Sequence, residues 1–306
     1  MAQIVNELRQ KFDKSLTFIL KVVNVKRSTY YYQQTSAKQN AAAKAAREAE
    51  LIQAICDIRD YDPIYGKKFG YRPITARLHE LGYRVNHKHV LNILRMYNWL
   101  STYNAKGLRK YNSYKGTVGT VARNLLRRRF QTDRPYQKLA VDVSEFRYGG
   151  MSKAERVYLE PVMDLFSGEI LAYNISDSPT VTFAVKPLQE ALDSLPELPY
   201  RTTVHTDQGF QYQNRRWVKV LKQHRVFQSM SRKGACLDNA MMESFFSIMK
   251  REVMDDHFNT KVELIRAMKH WIYFYNNYRM KGRLKGKSPV EYRKLALQNA
   301  SYQQVI

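Results

Sequence analysis

RTTVHTDQGFQYQNRRWVKVLKQHRVFQSMSRKGACLDNAMMESFFSIMKRE (201–252) places one acid at the end of a strand and another in the first turns of a helix. Residues 201–209 read as a β-strand that Gly209 stops, with Asp207 near its end. A helix over 214–224, a strand over 226–231 and a long helix from about Asp238 to Asp255 follow. Read by angle, that helix gathers Met242, Phe245, Phe246, Met249 and Val253 on one face, the core face. Glu243, Ser247 and Lys250 share a direction about a quarter turn away. A carboxylate and an ammonium two turns apart therefore look the same way. The first can reach a metal and the second a phosphate.

Upstream, KLAVDVSEF (138–146) alternates as a strand and carries Asp142. RVYLEPVMDLFSGEILAYNIS (156–176) reads as two strands joined by a tight turn at Ser167-Gly168, and 180–195 as a helix that must kink at Pro187 or start near it. Three strands, helix, strand, helix, strand, helix predict an α/β domain over 136–306, a mixed sheet flanked by helices. Before it lie all-α segments. Residues 36–60, Ala-rich and free of Gly and Pro, form a long helix. Pro73 suits a first helical position, Ile74, Leu78 and Leu81 share a face, and Gly82 ends that helix. Asn86 caps a second helix with Val90, Ile93, Leu94 and Tyr97 inward. This pair reads as a helix-turn-helix within a DNA-binding domain over 36–108, the outer face of its second helix offering His87, Lys88, Asn92 and Arg95 to phosphates and base edges, or as an ordinary helical hairpin with a solvated polar face; the net charge favours DNA contact. Residues 109–135 make a basic linker whose Arg127, Arg128 and Arg129, with Arg123 before them, suit phosphate tracking or a solvated surface. Residues 1–35 read either as a small helix-turn-helix, capped at Ser15 and turned at Asn24, or as a helical hairpin that only packs.

Charge narrows the partner. Lys and Arg number 51 against 27 Asp and Glu, a net +24, which points to a polyanion. No run of eighteen apolar residues is present and MAQIVNELRQKF lacks the layout of a signal peptide, so nucleic acid rather than a membrane surface is the expected partner. Two separated cysteines, Cys56 and Cys236, argue against structural zinc or disulfides and suit the cytoplasm.

The acids fit phosphodiester chemistry. Water and sugar hydroxyls are weak nucleophiles near neutral pH, and two divalent ions about 4 Å apart activate the attacking oxygen and stabilise the leaving one. Carboxylates are the natural ligands of such hard ions. Asp142, Asp207 and Glu243 are the candidates. Asp164, Asp177, Asp193 and Asp238 read as caps, turn residues or ion-pair partners, Asp238 capping the Glu243 helix with Asn239. Glu145 falls on the other face of its strand from Asp142, and His205 reads as a structural histidine or a support for a ligand.

VHTDQGFQY (204–212) and SRKGACLDNAMMESFFSIMKRE (231–252) resemble the second-reading-frame (orfB-type) transposases of two-frame bacterial insertion sequences, relatives of retroviral integrases with a ribonuclease-H-like core. Thirty-five residues separate Asp207 from Glu243, as that pattern requires, and Lys250 stands where the family has a basic residue. FGYRPITARLHELGYRVNHKHVLNILR (69–95), VNVKRSTYYY (23–32) and the tail YNNYRMKGRLKGKSPVEY (275–292) are similar too. Leu139, Ser144 and Met280-Lys281 depart from residues common in the family. The resemblance implies a DNA transposase in which Asp142, Asp207 and Glu243 hold two Mg²⁺ ions, Mn²⁺ substituting. Water cuts at the element's terminal repeats, and the freed 3′-hydroxyl attacks target DNA. It further implies a homo-oligomer, an upstream-frame DNA-binding protein or fusion, and a nucleoid-associated place in a bacterial cytoplasm. The alternative is a DNA-binding regulator or inhibitor of transposition without catalysis.

Overall fold

The computed structural model describes residues 1–101, 121–152 and 154–303, so the first part of the expected linker, 109–120, lies outside the described residues. The chain forms two compact units, Met1–Ile58 and Arg59–Ile306.

The first unit is helical: α1 (Ala2–Phe12), α2 (Leu16–Val22), α3 (Arg27–Tyr31), a π-helical turn (Tyr32–Ser36) and α4 (Ala37–Arg59), whose last residue opens the second unit. Ser15 caps α2 by accepting the Phe18 N–H, and Asn24 turns the chain at φ 53°, as expected. Val5, Ile19, Leu20 and Tyr30 make its small core.

The second unit begins with α5 (Tyr71–Glu80) and α6 (His87–Met96). Pro73 lies third in α5 rather than first. This is still a first-turn site whose missing N–H costs nothing. Gly82 turns at φ 92° and the Asn86 side chain caps α6 through the Lys88 N–H. The helices bury Ile74 and Leu78, then Val90, Ile93 and Leu94, but Leu81 and Tyr97, expected on the same faces, are exposed, because each falls at the C-cap where the chain leaves the helix.

A six-stranded mixed sheet follows: β1 (Lys138–Val141), β2 (Ser144–Arg147), β3 (Arg156–Asp164), β4 (Ile170–Ser176), β5 (Thr203–Thr206) and β6 (Phe227–Met230). β3 carries β4 along one edge and, along the other, β1 and β2 end to end, all antiparallel to it. β1 then pairs with β5, and β5 with β6, both in parallel. Helices α7 (Val181–Asp193), α8 (Phe210–Gln213) and α9 (Arg215–Gln223) connect the strands, and Leu139, Val141, Val162 and Val204 pack with Ala184, Leu188, Tyr212 and Trp217 on one face. Pro187 sits inside α7 and cannot bond the Phe183 carbonyl. The Asn174 amide donates to that carbonyl instead, at 3.2 Å. A 3₁₀ turn (Cys236–Asn239), α10 (Ala240–Val253), α11 (Lys261–Asn277) and α12 (Pro289–Gln303) complete the chain. Among the described residues no helix is long and apolar enough to cross a membrane.

Candidate active site

The strand expected over 138–146 is broken at its acid. Val141 faces Val162 and Ser144 faces Leu159, one continuous register, but Asp142 and Val143 leave the ladder between β1 and β2. Asp142 uses this freedom: its Oδ1 accepts the Val143 N–H at 2.8 Å, and its Oδ2 accepts the Asn239 amide at 2.8 Å. On the neighbouring strand His205 lies beside Ala140, so Asp207, just past Thr206, emerges at the adjacent C-terminal strand end. Such ends are where open α/β sheets place their sites. Asp207 Oδ1 accepts the Gly209 N–H at 2.8 Å. A Cβ at Gly209 would stand 2.9 Å from that oxygen and 2.7 Å from the Gln211 amide, so a side chain here would push the Gln211 amide and the Asp207 carboxylate aside.

Burial and then the charge of Asp207 push the Asp142 carboxyl well above the usual carboxylate range; Glu243 adds to the push, while the Val143 and Asn239 bonds oppose it. Burial raises Asp207 as well, against the Gly209 N–H. Glu243 is exposed in the first turn of α10. Among the described residues no three acid, histidine or cysteine side chains stand close enough to hold one ion, so Asp142 and Asp207 form the pair and Glu243 stands off on the solvent side. Two half-buried carboxylates whose proton affinity is raised, that of Asp142 in part by the charge of Asp207, are a donor set suited to a hard divalent cation. Lys250 is half-buried with its ammonium 5.2 Å from the Phe146 ring centre. Burial lowers its pKa, and Glu145 and Asp142 partly restore it.

A buried histidine supports this arrangement. His205 Nδ1 meets the Ser229 hydroxyl at 2.8 Å and Nε2 the Asp238 carbonyl at 2.9 Å. A carbonyl only accepts, so Nε2 carries the proton and donates to Asp238, and the bare Nδ1 accepts from the Ser229 hydroxyl, whose oxygen accepts the Leu125 N–H at 2.9 Å. His205 thereby fixes the 3₁₀ turn that carries Asn239, and Asn239 fixes Asp142. Burial holds the imidazole pKa below its ordinary value. The capping role expected of Asp238 and Asn239 is not what they do. The Asp238 carboxylate is clamped by Arg232 and Arg128 at 2.9 Å and by Asn124, which hold it well below the usual range, and Asn239 makes no side-chain cap bond.

The other candidates lie apart from the acids. His87, Lys88, Asn92 and Arg95 are exposed on α6, His87 stacking on Tyr71. Arg127 is exposed, Arg128 is tied to Asp238, and Arg129 reaches backbone carbonyls of its own turn, Leu126 among them. Sequence reasoning missed Asn239, whose place before a helix reads as a cap, and Glu160, a lone acid in an apolar strand.

The chain matches two family models described as integrase core domains, over residues 132–236 and 243–297. It is 39% identical to InsK of Escherichia coli strain K12, named as a transposase for insertion sequence element IS150, over 95% of this chain and 97% of that one. It is 37% identical to a transposase-like protein of Haemophilus influenzae, over 73% of this chain and all of that one. It is 35% identical to the transposase InsF for insertion sequence IS3A of E. coli K12, over 66% and 67%. Among solved structures, the HTLV-2 integrase catalytic core domain with magnesium aligns at TM-score 0.41 and 15% identity, over 52% of this chain and 97% of that one.

Proposed function

We propose that this chain, which belongs to the insertion-sequence transposases with an integrase core domain, cuts and joins DNA at the ends of its element with Asp142, Asp207 and Glu243 as the acids of its site. The observation that carries the residue assignment is the pairing of Asp142 and Asp207 at adjacent strand ends, with Glu243 on α10 near enough for Asp142 to feel its charge.

A divalent metal, Mg²⁺ or in its place Mn²⁺, in two ions, would be held by these acids and would supply activation of the attacking oxygen and stabilisation of the leaving one. The chain's own residues do the rest. Asn239 and the Val143 N–H fix the two oxygens of Asp142. The Gly209 N–H fixes Asp207. Lys250, on the same side of α10 as Glu243, holds a phosphate of the bound strand. His87, Lys88, Asn92 and Arg95 on α6 grip the duplex as the second helix of a helix-turn-helix does, and Arg127 and Arg129 follow the backbone; Arg128 joins them only by sharing its charge with Asp238. Joining two ends requires two sites, hence a homo-oligomer, with an upstream-frame DNA-binding protein as a further partner and a bacterial nucleoid as the setting.

The test is strand transfer. The purified chain is incubated with a labelled duplex carrying the element's terminal repeat, a target plasmid and Mg²⁺ or Mn²⁺. Joined products are expected from the parent, and none from Asp142→Asn, which still shifts the duplex in a binding gel. Joining by Asp142→Asn would defeat the assignment.

A further inference from the structure

Glu160 stands in the middle of β3, wholly buried, and neither of its carboxylate oxygens has a hydrogen-bond partner. Among the described residues every other buried acid is satisfied. Asp62 accepts from the Tyr65 N–H and meets His270, Asp164 accepts from Ser167, and Glu169 pairs with Arg293. Asp238 pairs with Arg232, and Glu252 with Arg279. An unpaired buried charge is costly, and the surrounding face, with Val141, Val162 and Val204, would accept a valine or leucine. The sheet register explains what Glu160 faces. Val141 opposite Val162 and Ser144 opposite Leu159 bring Glu160 level with the Asp142–Val143 step. Tyr212 neighbours it from α8, which begins directly after the Asp207–Gly209 turn. Its hydroxyl is buried and interacts with Glu160 without a hydrogen bond of normal geometry. Burial, and then the charge of Asp142, push the Glu160 carboxyl well above the usual carboxylate range; the Tyr212 hydroxyl opposes the push and Asp207 adds to it.

We propose that Glu160 is a positioning residue for the divalent cation of the Asp142–Asp207 pair: a fourth carboxyl group, set behind the pair, that releases its proton to solvent when the cation binds and whose negative charge then strengthens the hold on the ion. The proposal rests on the reading of Asp142 and Asp207 as metal ligands. A charge in a buried setting acts on a nearby cation with little screening, so a carboxylate need not touch the ion to attract it. This accounts for a buried carboxyl with only the Tyr212 hydroxyl beside it: the cation in front of the two aspartates is the charge it faces. Carboxylates that support ligands in this indirect way typically change metal affinity by about 10- to 100-fold.

The test is Mn²⁺ binding to the whole chain, by calorimetry or by the loss of the free-ion paramagnetic resonance signal, together with melting in the absence of metal. Glu160→Gln keeps the shape and removes the charge. It is expected to bind Mn²⁺ about tenfold or more weakly while melting no lower than the parent without metal. Glu160→Asp, which keeps the charge, is expected to recover most of the affinity. Should Glu160→Gln fail to fold, Glu160→Leu suits the apolar face and is expected to show the same loss. Unchanged Mn²⁺ affinity in a folded, uncharged variant would overturn the proposal. Asp142→Asn serves as the control. If it binds Mn²⁺ as the parent does, or the parent binds none, the ligand assignment itself is wrong and the role of Glu160 falls with it.

Discussion

Asp142 shows how one side chain is held against its own charge. Two hydrogen bonds favour its ionised form, while burial and Asp207 oppose it more strongly, so its folded pKa is raised above the ordinary 3.8. The folded chain then binds more protons than the unfolded chain. The stabilising contribution is full below about 3.8 and is lost as pH rises through the folded value. At neutral pH the buried pair costs the fold stability, and a divalent cation bound as proposed would relieve that cost. Asp142→Asn is therefore expected to melt no lower than the parent without metal, to lose the rise in melting temperature that Mn²⁺ gives the parent, and to cut DNA about a thousandfold more slowly, the equivalent of several kcal/mol of transition-state stabilisation. A variant that melts far below the parent would instead make Asp142 a structural residue. His205 carries the opposite sign. Its folded pKa lies below the ordinary 6.5, so its contribution is present above that value and lost as pH falls through the folded one. Melting temperature should drop between pH 7 and the acid side of that window, and the drop should flatten in His205→Gln; an equal drop in that variant would place the effect on another group.

At the level of elements, the tail after α11 is a joint between the helix-turn-helix and the sheet. Arg77 of α5 pairs with Glu291 at 3.0 Å, Lys287 reaches Glu80 at 2.8 Å, and Arg283 donates to the Phe166 carbonyl in the β3–β4 turn. Gly286 makes the approach possible: it turns at φ 81°, and a Cβ there would stand 2.4 Å from the Ala76 carbonyl oxygen. Gly286→Ala is expected to cost about 2 kcal/mol or more from backbone strain and the clash with α5, read as a lower melting temperature. Melting unchanged by the substitution would show that the joint is loose. Periodicity made the helices and most of their inward faces legible, because burial at 3.6-residue spacing is written in the apolar residues themselves; it failed at the helix ends, where Leu81 and Tyr97 are exposed. It also gave the caps at Ser15 and Asn86, whose bonds are local. The break between β1 and β2 was not legible, since KLAVDVSEF keeps its alternation through the two residues that leave the ladder. Nor was Asn239, whose bond to Asp142 spans 97 residues and depends on His205 holding the turn.

Across the whole molecule, charge and site point to the same partner. The net +24 predicts DNA binding that weakens steeply with salt, through release of counterions from the duplex. Replacing Lys88 or Arg95 by Ala should reduce the slope of log affinity against log salt by about one for each phosphate no longer neutralised, while leaving melting intact, as measured by binding titrations at several salt concentrations. An unchanged slope would remove α6 from the interface. The acids proposed to do the chemistry could be picked out in the sequence because the motifs around them are local. The residues that support them, Asn239 and Glu160, became visible only when the strands were laid side by side. The most direct test of the three-carboxylate site is nicking of supercoiled plasmid by the purified chain in Mn²⁺, beside Glu243→Gln and a chelator. The parent should nick, and both the variant and the chelator should abolish nicking; nicking that persists in Glu243→Gln would contradict the account.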